Sequence, residues 1–215
     1  MRIAKLPPAA GRRWVFEGFA LLRRRPLALL GLVVLCMLLL GLSSVIPFGP
    51  LLWAMATPLL LVGLMHAVRA VDQGGTPAPQ MLLAGVRDDG GRAVKPLLLL
   101  GVANVLASAV VLAVVSLLLG GLPPEAPPPT TPSPSVPTPP DPSILLGPLV
   151  FLALYTPVKM ALWYAPLFVA WHGIAPRKAM FFSFVATWRN RWTFVQFALA
   201  WFGVALAVSV AGWLL

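Results

Sequence analysis

The stretch Asp141–His172, DPSILLGPLVFLALYTPVKMALWYAPLFVAWH, decides the fold. Its apolar run is long enough to cross a bilayer, which takes about 20 predominantly apolar residues. Three prolines, Pro148, Pro157 and Pro166, recur along it, and Lys159 sits near its middle. Prolines are tolerated in a membrane helix where neighbouring groups re-satisfy the freed backbone. A charge at mid-bilayer is costly and calls for a buried partner or for water.

The rest of the chain fits the same solvent. Its 215 residues are 59% hydrophobic and 10% charged, with a mean hydropathy of +0.89. That is more apolar surface than a soluble core of this size can bury. The formal net charge of +10 does not indicate nucleic acid, because the basic residues flank apolar runs instead of gathering on one wet face. Cys36, the single cysteine, lies inside an apolar run, so disulfides and cysteine-based metal sites are not expected. No cofactor is expected either.

Working outward, the apolar runs predict an all-α membrane protein forming a single transmembrane domain over residues 1–215. Five transmembrane helices are expected, at about 26–46, 51–68, 96–119, 145–171 and 192–214. The N-terminal run resembles a signal peptide in charge order, but it lacks an A-x-A-like cleavage site and is long enough to span, so a retained anchor is expected. Between Pro123 and Pro142, eleven of twenty residues are proline. Such a segment cannot nucleate a helix, and residues 121–143 are expected to form an extended extracytoplasmic loop.

Three amphipathic pieces complete the plan, each expected as a cytoplasmic interfacial helix. In 11–25, Trp14, Val15, Phe19 and Leu22 share one side, to enter the acyl boundary, while Arg12, Arg13, Glu17, Arg23 and Arg24 share the other. The second is 79–88. The third, 176–189, sets Met180, Phe181, Phe184, Val185 and Trp188 against a small face of Ala179, Ser183, Ala186 and Thr187. Either face could meet protein, leaving the other to lipid.

Charge asymmetry orients the chain. Seven of the sixteen Lys and Arg precede the first span, four lie between the second and third, and four between the fourth and fifth. The positive-inside rule then puts the N-terminus in the cytoplasm and the C-terminus outside. Lys159 is the one basic residue that orientation does not explain.

Two stretches share an order of features. Pro58-Leu59-Leu60 leads to His66 and the piece from Pro79; Pro166-Leu167-Phe168 leads to His172 and the piece from Pro176. This suggests a parallel repeat about an axis along the membrane normal.

Several short patterns also carry a resemblance: Leu6-Pro7-Pro8-Ala9-Ala10-Gly11 with Trp14 and Gly18-Phe19, Arg25-Pro26, Ala165-Pro166-Leu167, and Pro176 with Ala179-Met180, Ser183 and Arg189-Asn190. On these the chain resembles a family of small uncharacterised proteobacterial polytopic inner-membrane proteins, over nearly its whole length except the proline-rich loop. The resemblance implies a polytopic membrane protein and carries no established reaction with it.

Enzymatic function is not expected. All six acids fall outside the expected spans, and no HExxH, GxSxG or phosphate-loop pattern occurs. His66 and His172 stand at helix ends, where an imidazole suits exposed carbonyls, and no metal site is expected. The candidate intramembrane polar site is Lys159 with Asn104 and Tyr155. Lys159 lies about 13 Å of helix rise from Phe168, beyond the reach of a stem of about 6 Å. Two readings stand: a sealed lysine donating to the Ala153 carbonyl that Pro157 frees, or a lysine lining a cavity that meets an anionic headgroup or solute. Arg12, Arg13, Arg23, Arg24, Arg177 and Lys178 are the candidate lipid headgroup ligands. A lipid- or partner-binding module is the expected function, and a small oligomeric transporter or channel is the alternative. Anionic membrane lipids are the expected partners. Small residues, Ala103 and Ala107 on the third span and Gly203, Ala207 and Ala211 on the fifth, would let helices approach within the chain, in a homo-oligomer or against a partner membrane protein.

Overall fold

The computed structural model describes residues 4–119 and 143–214, and every regular element in them is helical. Helix α1 covers Ala9–Arg24, α2 Pro26–Ser43 and α3 Gly49–Asp72. After a turn come 3-10 residues Pro79–Leu83, a single α-turn, α4, at Ala84–Arg87, and a second 3-10 piece at Asp88–Gly91. Then follow α5 (Val94–Leu118), α6 (Ser143–Leu162), α7 (Ala165–His172), α8 (Pro176–Arg189) and α9 (Arg191–Leu214). Five stretches are long and apolar enough to cross a membrane: α2, α3, α5, the run Leu146–His172 and α9. Those are the five expected from sequence. Most of the expected proline-rich loop lies outside the described residues.

The core forms where α3, α5, α7 and α8 meet, around Leu59, Val62, Leu97, Leu100, Val169 and Ala179. At the α3–α5 crossing a Cβ on Gly101 would overlap the Met55 carbonyl, so only glycine permits this approach. A smaller cluster of Leu32, Cys36, Ala67 and Leu82 ties α2 to α3.

Three expectations change on packing. Residues 79–88 are not a continuous amphipathic helix on lipid. Leu82, Ala84 and Gly85 are buried, with the Leu82 backbone against Gly63 and Gly85 against the Leu59 carbonyl. Gly90 and Gly91, both at positive φ, then turn the chain.

The apolar face of α1 is also used by protein. Gly11 lies against the Thr193 carbonyl, Trp14 packs edge-on to Phe194 and Phe197, and Phe19 meets Trp201. Partner numbers rise in step along both helices, so α1 and the first half of α9 run parallel and share a tilt over about 12 Å. An amphipathic stripe reads the same whether lipid or another helix covers it.

Finally, the expected fourth span is two helices. It continues through Pro148 and Pro157 and breaks at Trp163-Tyr164, before Pro166 in the first turn of α7. A proline ring clashes with the carbonyl four residues back, here that of Leu162. In both halves of the expected repeat the short piece packs on the span before it, Pro79–Leu83 on α3 and α8 on α6 and α7, but the outgoing helices differ: α5 lies along α3, whereas α9 lies along α1.

Candidate functional site

The break in the fourth span is held open by a side chain from α8. The Tyr164 N–H donates to Ser183 Oγ at 2.9 Å, and Ser183 Oγ donates to the Met160 carbonyl at 2.8 Å. In an unbroken helix Tyr164 and Met160 would bond each other, so the hydroxyl has been inserted into the ladder. Thr187 Oγ1 lies 3.2 Å from the same carbonyl. This settles which face of α8 meets protein: Ala179, Ser183, Ala186 and Thr187 are buried, while Phe181 and Trp188 are exposed.

A second latch joins the chain's beginning to the α8–α9 junction. Leu6 N–H donates to Asn190 Oδ1 at 2.8 Å, Asn190 Nδ2 donates to the Ala4 carbonyl at 3.1 Å, and Thr193 Oγ1 lies 3.3 Å from the Pro7 carbonyl. Two of the patterns that carried the family resemblance, the one from Leu6 and the one at Arg189-Asn190, are therefore one structural unit.

Two of the intramembrane polar residues bond each other, and the third stands beside them. Tyr155 Oη donates to Asn104 Oδ1 at 3.0 Å, fastening α6 to α5. Ser108, which the sequence reading passed over, lies 3.3 Å from the same phenol oxygen and donates to the Asn104 carbonyl at 2.8 Å. Its spacing of four from Asn104 was the available signal. Lys159 stands one turn beyond Tyr155, with Nζ 5.1 Å from the ring centroid, a cation–π contact. It makes no hydrogen bond to the Ala153 carbonyl or to Asn104 among the described residues. Instead it lines a chamber of about 390 Å³ with Thr57, Leu61, Asn104, Trp163 and Pro166. The Lys159 side chain is exposed and borders this space.

On the face bearing the ends of α1, α3 and α7, Arg24 pairs with Asp72 at 3.7 Å and Arg13 with Glu17 at 3.9 Å. Trp171 Nε1 donates to His66 Nε2 at 3.1 Å, and the Arg69 guanidinium lies 5.9 Å from the Trp171 ring centroid. His66 thus joins α3 to α7, a role the end-capping expectation did not include. Arg12, Arg23, Arg177 and Lys178 are all exposed and in no ion pair among the described residues. Among the described residues, no three His, Cys, Asp or Glu side chains gather.

Helices of this length and hydropathy, joined through a buried polar knot, define a polytopic all-α membrane protein. A probable inner membrane protein of Burkholderia thailandensis is 34% identical to the chain across 97% of it and 78% of the relative's own length. The chain belongs to that family, and it is an inner-membrane protein. No protein-family model matches it, and no solved structure does.

Proposed function

We propose that the protein is a non-enzymatic membrane module that gathers anionic lipid on its cytoplasmic face, with the N-terminus inside and the C-terminus in the periplasm. The observation that carries this reading is that Arg12, Arg23, Arg177 and Lys178, among other cations, are exposed and have no ion pair among the described residues. Each basic side chain near an anionic leaflet contributes about 1 kcal/mol of attraction, so four together form a strong footprint. Arg13 and Arg24 extend it, each partly neutralised by a carboxylate. The test is lipid co-purification. Replacing Arg12, Arg23, Arg177 and Lys178 with glutamine should lower retained phosphatidylglycerol severalfold, and an unchanged lipid content sinks the reading. Cysteine labelling in the proline-rich loop checks orientation: labelling from the cytoplasm alone overturns it.

A second reading rests on one observation, the open chamber beside Lys159. There the protein is a small oligomeric transporter or channel, and Lys159 meets an anionic solute on its path.

A further inference from the structure

A cleft of about 510 Å³ opens between the ends of α1, α3 and α7, with Glu17, Arg24, Arg69, Asp72 and Trp171 on its walls. It adjoins a half-open apolar groove of about 480 Å³ bordered by α1, α2, α3 and α9, whose lining carries no charged residue. Leu21, Met65 and Val68 are walls of both, so the two spaces share one partition. Each volume falls in the range of about 300–1,000 Å³ usual for ligand pockets. The order along the helices suits a lipid. Arg69 and Asp72 close the end of α3, the groove begins within one turn of Arg69, and on α2 it starts at Leu29, one turn past Pro26.

We infer that this is a selective site for one zwitterionic aminophospholipid, phosphatidylethanolamine, with its phosphate at Arg69 and Arg24, its ammonium at Asp72 and Glu17, and one acyl chain in the apolar groove. Charge selects the occupant. The cleft holds two guanidinium and two carboxylate groups, with Asp72 3.7 Å from Arg24 and Glu17 3.9 Å from Arg13; a headgroup of both signs can insert between such long, exposed pairs. An anionic headgroup would leave the carboxylates facing its hydroxyls or nothing. Arg69 touches the Trp171 ring and has no carboxylate partner among the described residues, which leaves its donors for a phosphate. The ammonium donates three hydrogen bonds, and a choline headgroup donates none. This site shares Arg24 with the edge of the proposed anionic footprint but not its four main cations: it is built on Arg69 and Asp72, and it selects against the lipid the footprint attracts.

The experiment is native mass spectrometry of the full chain in micelles holding equal amounts of phosphatidylethanolamine, phosphatidylglycerol and phosphatidylcholine. The wild-type chain should keep a single phosphatidylethanolamine after delipidation. Arg69→Gln should reduce its occupancy at least tenfold, and Asp72→Asn should abolish the preference over phosphatidylcholine. Gly18→Phe offers a variant that keeps the cleft. Gly18 lines the groove and a Cβ there meets nothing within 4 Å, so the ring fills the chain's space and the adduct should disappear. Loss of the footprint cations Arg12 and Arg177 should leave the adduct in place. Equal retention of the three lipids, no retained lipid, or an undiminished adduct in Arg69→Gln overturns the inference.

Discussion

Ser183 Oγ accepts the Tyr164 backbone N–H at 2.9 Å and so replaces the carbonyl that a continuous helix would have offered it. Pro166 removes one ladder bond and crowds the Leu162 carbonyl, but Pro148 and Pro157 do the same to their own turns without ending α6. What separates the third proline from the other two is the Ser183 hydroxyl, nineteen residues on from Tyr164, that bonds both sides of the gap. Breaking α7 away from α6 lets Val169 reach the core beside Leu59 and Leu97.

Ser183→Ala should therefore cost more than a surface substitution. It leaves the Tyr164 N–H without an acceptor in a place where Ser183 itself is fully buried. About 1–3 kcal/mol is expected from an unsatisfied buried group. Thermal unfolding in detergent reads the effect, and an unchanged melting temperature would show that the hydroxyl does not hold the break.

Gly11→Ala and Gly18→Ala should differ in sign. A Cβ on Gly11 overlaps the Thr193 carbonyl, which belongs to helix backbone and cannot yield, so a loss of about 1–3 kcal/mol is expected. At Gly18 nothing lies within 4 Å, and alanine should gain about 0.5–1 kcal/mol through helix propensity. Equal effects at the two sites would argue that α1 does not dock on α9.

The Leu6 amide should be protected from hydrogen exchange although it precedes any helix, because Asn190 Oδ1 accepts it. In Asn190→Ala that protection should vanish, by about tenfold for each 1.4 kcal/mol lost. Peptide-level exchange across residues 4–8 measures it, and fast exchange in the wild type refutes the latch.

Lys159→Cys, in a Cys36→Ala background, should react with a small water-borne thiol reagent, because the side chain faces an open chamber and no carbonyl. Lys159→Met should leave the fold intact, losing a contact of about 0.5–1 kcal/mol with Tyr155. A site that resists the reagent and a Met variant that unfolds would together restore the sealed lysine.

Much of this was readable from residue order. The spans follow from hydropathy, and α8 begins at Pro176 and ends at Arg189 as its amphipathic pattern indicated. Asn104, Tyr155 and Lys159 meet because a turn of helix separates Tyr155 from Lys159 and the depth of Asn104 matched theirs. The break at Trp163-Tyr164 was not readable, since three prolines look alike until Ser183 is brought to one of them by the turn at Gly173. The docking of α1 was hidden for a different reason: Trp14 and Phe19 satisfy a helix surface and an acyl surface equally well. His66 and Trp171 are too distant in sequence for local spacing to join them.

The parallel pairing of α1 with α9 also bears on biogenesis. Gly11 meets Thr193 and Phe19 meets Trp201, so each partner is synthesised 182 residues later. At about 5–20 residues per second, α1 waits about 10–40 s for its mate. During that interval its aromatic face is a sticky surface with no intramolecular cover. Emergence of α9 thus closes this interface, and a chain stalled before Thr193 would present that open face to the quality-control machinery of the membrane.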